Sequence, residues 1–233
     1  MHPTDKAARV AGLLYPLMGI PAVFSFFYVP RKLIVPGNAT ATANKILASE
    51  MLFRLGIVAW LIAAAFFLFL VMALYRLLSG VNKNHARLMV GLVLVSVAIT
   101  FANALNNISA LTLFRGADYL SVFDKPQREA LAMLFLRLHG QGLAVNDIFW
   151  GLWLFPFGLL VMRSRFLPRI LGLLLIVNCF AYVAISVTSL LLPAYGNVVF
   201  RASMPALLGE LWIMLWLLIK GANVQRLAPA AAS

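Results

Sequence analysis

Acidic residues are scarce in this chain, seven Asp and Glu against nineteen Lys and Arg, and charges of both signs fill only 11% of its 233 positions. A soluble domain carries about 25% charged residues and covers its core with them. Here they are missing over whole stretches, which excludes an ordinary water-soluble fold. Cysteine is rarer still. The single Cys179 rules out an intrachain disulfide and a thiolate-bound metal cluster, and within its apolar run it reads as a small packed residue. The three histidines, His2, His85 and His139, lie far apart, too few for a di-metal or paired-haem site. An HExxH zinc pair, a GxSxG nucleophile elbow, a Walker loop and a CxxC pair are also missing. No catalytic residue, metal or cofactor is therefore expected, and no fixed-period repeat marks a solenoid or an inverted-repeat transporter.

What the chain has instead is apolar length, with 63% hydrophobic residues. About 20 apolar residues cross the hydrocarbon of a bilayer as a helix. Val10 to Val29, Leu55 to Tyr75, Leu88 to Phe114 and Ile170 to Phe200 are long enough and uncharged, the last including some flanking loop. Leu138 to Met162 is broken only by Asp147, and Ala202 to Ile219 only by Glu210. The expected fold is all-α, a single polytopic transmembrane domain over 1–233. Its six spans should lie near 10–29, 48–77, 88–113, 134–162, 169–192 and 202–220. The first run exceeds a signal-peptide core and lacks a convincing cleavage site, so it reads as a signal anchor.

Lys and Arg in short loops set orientation. With both ends cytoplasmic, the inner segments hold Lys6, Arg9, Arg76, Lys83, Arg87, Arg163, Arg165, Arg169, Lys220 and Arg226. The outer ones hold Arg31, Lys32, Lys45, Arg115, Lys125, Arg128 and Arg201, ten against seven. The net charge of +12 is scattered through these loops without a basic stripe, so membrane lipids rather than nucleic acid are the expected partner. The longer connections fall outside. In the first of them, Pro36, Gly37 and Asn38 signal a turn, followed by Thr40, Thr42 and Asn44 as candidate caps for the second helix.

Polar groups inside the spans are few and costly, about 2.5–3.5 kcal/mol for each charge at mid-membrane, so they usually face a bundle interior or a wet cavity. Glu50 and Arg54 stand at i, i+4 with the acid first, suited to an ion pair. Asn103, Asn106 and Asn107 share one helix face. The fourth span carries His139, Gln141, Asn146 and Asp147, and Glu210 stands alone in the sixth. In the topology above, these groups from four helices fall in the outer half of the membrane, over inner halves that are almost wholly apolar. A polar chamber opening outward satisfies that distribution, with Glu50, Arg54, Asn103, Asn106, His139, Asp147 and Glu210 as its ligand-binding candidates.

Each also has a structural explanation. Glu50 with Arg54 serves as an interfacial ion pair with a snorkelling arginine. The Asn residues tie helices together, and His139 sits at an interface beside Gly140. Trp150, Trp153, Trp212 and Trp216 read as packing and interface residues. Glu210 fits a structural role least well, since an isolated carboxyl there must be protonated, paired or hydrated.

Several segments carry a resemblance. They are ARVAGLLY at 8–15, VPGNATATANKILASEMLFRLGI at 35–57, LYRLLSGVNKN at 74–84, LFLRLHG at 134–140, RSRFLPRILG at 163–172 and GELWIMLWLLIKG at 209–221. Together they resemble a bacterial integral-membrane family designated domain of unknown function 4386, over nearly the whole chain. The resemblance implies a six-helix protein of the bacterial inner membrane and brings no activity or residue role with it.

Three functions fit. The first is a non-enzymatic protein that binds, moves or senses a small amphiphile or lipid in the chamber. The second is an intramembrane lipid-modifying enzyme pairing His139 with Glu210 or Asp147 as general acid and base. The third is a structural or accessory subunit. The sequence leaves the oligomeric state open.

Overall fold

The computed structural model describes residues 3–222; His2 and Arg226 lie outside them. The described residues form α-helices and short helical turns with no strand. Six segments are long and apolar enough to cross a membrane: Thr4–Leu33, Glu50–Leu78, Lys83–Arg115, Lys125–Arg163, Arg169–Leu191 and Pro193–Ile219.

The first segment comprises α1 (Pro3–Val23), a π-helical turn (Phe24–Tyr28) and α2 (Val29–Leu33). Pro30 has no N–H to give the preceding turn, and the helix widens just before it. A separate short helix, α3 (Ala39–Ala48), follows. The long loop expected over 30–45 is thus largely helical, and Thr40, Thr42 and Asn44, expected as caps of the second spanning helix, lie inside α3, whose own cap is Asn38. Its side-chain oxygen accepts from the Ala41 N–H at 2.9 Å. Thr42 instead folds the turn back, its hydroxyl donating to the Asn38 carbonyl at 2.8 Å and accepting from the Val35 N–H at 3.0 Å.

The remaining helices are α4 (Glu50–Leu78), α5 (Lys83–Arg115), α6 (Lys125–Leu152), α7 (Leu154–Arg163), α8 (Arg169–Leu191) and α9 (Gly196–Ile219). Only Trp153 separates α6 from α7, three residues before Pro156, which has no N–H to donate to the Leu152 carbonyl. The fourth span is therefore one path made of two helices.

The residues group into two compact units. Among the described residues the first is drawn from 3–17, 66–97 and 144–222, the second from 18–65 and 98–143, and the chain passes between them within α1, α4, α5 and α6.

In the first unit, Phe67 meets the buried Trp153 edge to face at 5.1 Å, and Trp153 stacks on Phe157 at 5.3 Å. Gly158 and Gly172 let α7 and α8 touch backbone to backbone: a Cβ at Gly158 would lie 2.7 Å from the Gly172 carbonyl oxygen. Near the ends of the described chain, the Ala222 N–H donates to the Asp5 carboxylate at 3.1 Å.

The second unit has its own apolar core, in which Val29 and Leu33 of α2, Ile46 of α3, Phe53 and Ile57 of α4 and Leu111 and Phe114 of α5 are buried together. Glu129 of α6 is buried and accepts from the Thr40 hydroxyl at 2.6 Å.

Candidate functional site

The seven candidates divide between the units. Glu50, Arg54, Asn103, Asn106 and His139 belong to the second, and Asp147 and Glu210 to the first.

In the second unit the Asn face of α5 does two things. The Asn103 amide donates to the main-chain carbonyl of His139 at 2.9 Å and accepts from the Asn106 side chain at 2.9 Å. The imidazole Nδ1 of His139 lies 3.4 Å from the Asn103 carbonyl oxygen, so the two residues are joined in both directions. Next to them is a cavity of about 60 Å³ whose polar lining comes from Ser25, Asn107 and His139 and whose apolar walls include Val29, Phe53 and Ile57. Ser25 belongs to the π-helical turn, an irregularity often found at functional sites. No carboxylate lines this cavity among the described residues. Its volume suits a few waters or the end of an alkyl chain.

On α4, Glu50 and Arg54 form the expected pair, Arg54 Nε donating to Oε1 at 2.7 Å. The sequence gives no sign of the third member. Arg115, at the end of α5, brings its guanidinium to 3.7 Å from the same oxygen. Arg54, Arg115, Thr112 and Gly116 line a recess of about 300 Å³ together with Ile108 and Leu111. That is the lower end of the range for small-ligand sites. Two guanidiniums against one carboxylate leave it with a net charge of +1. Around it α4 and α5 present exposed apolar side chains, among them Met51, Leu55, Leu105 and Ile108, as helices facing lipid do.

In the first unit Glu210 of α9 is not alone. The Tyr182 hydroxyl of α8 lies 3.5 Å from its Oε2. Tyr15 of α1 is within its electrostatic reach, and the Asn178 side chain, one turn before Tyr182, faces it. Asp147 of α6 acts on the same tyrosine, whose ring meets Trp150 edge on at 6.3 Å. Tyr15, Asn178 and Tyr182 are not among the candidates the sequence offers, although Asn178 and Tyr182 stand at i, i+4 in an otherwise apolar run. Among the described residues no three His, Cys, Asp or Glu side chains gather as a metal site would require.

Gln141 and Arg137 are exposed, and Cys179 is buried. Trp153 is buried and Trp212 is exposed.

No solved structure matches the chain. An uncharacterized protein of the archaeon Archaeoglobus fulgidus is 30% identical over 149 residues, which is 64% of this chain and 73% of that protein. The family model described as domain of unknown function (DUF4386) matches residues 10–221. With six apolar helical segments of membrane-crossing length, all but the first few residues of which fall within that match, the chain is a multi-pass membrane protein that belongs to the DUF4386 family.

Proposed function

We propose that this protein binds a small anionic amphiphile or a lipid, taken from the membrane into its second unit. The observation that carries this is one turn of α4, residues 53–57, which lines two recesses of opposite character. Phe53, Gly56 and Ile57 contribute to the apolar cavity that ends in His139 and Asn107, and Arg54 contributes to the recess it shares with Arg115. An amphiphile offers the matching pair of groups. The head is held by charge-assisted hydrogen bonds from the two guanidiniums, and the chain lies against the apolar side chains around them. The Lys and Arg distribution supports a setting in a cell membrane with both ends of the chain cytoplasmic and this recess on the opposite side.

The test is direct binding to the purified protein in detergent. A fluorescent lysophospholipid with a phosphoglycerol head is compared with the same chain carrying a phosphocholine head, and inorganic phosphate serves as competitor. The anionic head should bind at least about tenfold more tightly, a change of about 1.4 kcal/mol, and the double variant Arg54→Gln/Arg115→Gln should lose that preference. Displacement by inorganic phosphate alone would reassign the recess to a free anion. Equal binding of the two heads would end the proposal.

A further inference from the structure

We infer that the first unit holds a binding site for one monovalent inorganic cation, built on Glu210 with neutral oxygens from Tyr15, Tyr182 and Asn178. This rests on different residues from the amphiphile site and stands or falls without it.

Glu210 lies near the middle of its helix, and neither it nor Asp147 forms an ion pair with a Lys, Arg or His among the described residues; the ion pairs formed there involve Asp5, Glu50 and Glu129. A carboxylate inside a helix bundle has to be matched by a positive charge or a proton. The groups facing it are oxygen donors with unused capacity. Tyr15 is 3% exposed and Asn178 fully buried, and among the described residues the Tyr15 hydroxyl has no hydrogen-bond partner and the Asn178 amide, though it faces Glu210, makes no bond of good geometry. The Tyr182 hydroxyl, at 3.5 Å from Glu210, is at the limit of a hydrogen bond. Buried polar groups are normally satisfied, and unsatisfied ones on two helices, α1 and α8, beside a single carboxylate of α9 indicate a missing partner.

The donor set selects the class of that partner. It contains no imidazole or thiolate, which excludes the softer transition metals. Calcium takes six to eight oxygen ligands and magnesium keeps an octahedral shell with several waters, whereas one carboxylate with two phenols and an amide carbonyl matches a single positive charge. Asp147, the other titratable acid facing Tyr182, lies close enough to strengthen the field.

The experiment is thermal unfolding of the whole protein in nanodiscs of zwitterionic lipid, in sodium, potassium or N-methyl-D-glucamine chloride at one ionic strength and one pH. Chloride is then constant, so the arginine recess of the second unit sees the same anion throughout. The unfolding temperature should rise saturably with sodium or potassium over the organic cation, and Glu210→Gln should remove that rise. Tyr182→Phe and Asn178→Ala, which keep the acid, should raise the midpoint concentration at least about tenfold, and they test the idea even if Glu210→Gln does not fold. The inference fails if the wild type melts alike in all three salts, which leaves a proton as the group that neutralises Glu210. It also fails if the alkali response survives in Glu210→Gln or keeps its midpoint in both other variants.

Discussion

Asn103 and His139 are tied through each other's main chain: the Asn103 amide donates to the His139 carbonyl at 2.9 Å, and the His139 ring nitrogen sits 3.4 Å from the Asn103 carbonyl. The contact fixes α5 against α6 at the level of the imidazole. Side-chain hydrogen bonds between membrane helices contribute about 0.6–2 kcal/mol, so Asn103→Ala should destabilise the protein by about 1–2 kcal/mol. Gly142 makes room for this amide, since a Cβ there would strike the Asn103 side chain. Gly142→Ala should therefore cost a similar amount by displacing it. The double variant should cost about as much as either single one, because the second change removes an interaction already lost. Unfolding midpoints in detergent for all four proteins measure this, and simple additivity would show that the two residues act separately.

Thr40 and Glu129 should behave as a buried hydrogen-bonded pair. Glu129 is only 5% exposed, its 2.6 Å bond comes from a hydroxyl, and its cation, Lys125, is at 3.8 Å. Thr40→Val keeps the shape and takes away the donor, which should cost about 1–3 kcal/mol by leaving a desolvated acceptor. Thr40→Ser should recover most of that loss. Equal losses in both variants would assign the effect to the methyl group and its packing.

The six spans were readable because charge is excluded from hydrocarbon over a length set by the bilayer, and residue counts convert directly to height at about 1.5 Å per residue. Glu50 with Arg54 was readable for a related reason: an i, i+4 pair is local. Height does not give azimuth. The helices are apolar nearly all round, so periodicity does not say which face of α8 meets which face of α9. Thus the sequence marks Glu210 by its charge, while Asn178 and Tyr182 on the neighbouring helix carry no mark of facing it. Arg115 was counted as a loop cation because its partner Glu50 is distant in sequence. The π-helical turn at Phe24–Tyr28 has no local signature beyond Pro30, and Asn38 reads as a turn residue because the small and polar residues 39–45 carry no apolar period that would mark a helix.

Glycines with and without neighbours should respond in opposite directions. A Cβ at Gly158 would lie 2.7 Å from the Gly172 oxygen and 2.8 Å from the Ile176 Cγ1, whereas nothing lies within 4 Å of one at Gly91 in α5. Gly158→Ala should force α7 from α8 and lose about 1–3 kcal/mol, the range for overpacking. Gly91→Ala should be neutral or gain up to about 1 kcal/mol from reduced backbone entropy. Fluorescence-detected size-exclusion chromatography after a heat step ranks the two variants. A Gly158→Ala protein as heat-resistant as wild type would contradict the backbone contact.

Glu50 divides its charge between Arg54 and Arg115, and removing it should separate stability from binding. The three side chains are 29%, 47% and 57% exposed, so solvent screens the pairs and they contribute at most about 1 kcal/mol. Glu50→Gln should therefore barely move the unfolding temperature. It does change the charge of the recess, which rises from +1 to +2. For an anionic head about 6 Å from the lost carboxylate, the repulsion removed is about 0.7 kcal/mol even at the dielectric of water. The phosphoglycerol probe should then bind about threefold more tightly, and more than that if the recess is drier. Because the effect is one of charge, it should shrink as salt rises and the Debye length falls from about 10 Å at 0.1 M to about 3 Å at 1 M. Weaker binding in Glu50→Gln, independent of salt, would mean that the carboxylate holds the guanidiniums in place, and that their positions rather than the net charge of the recess determine what it binds.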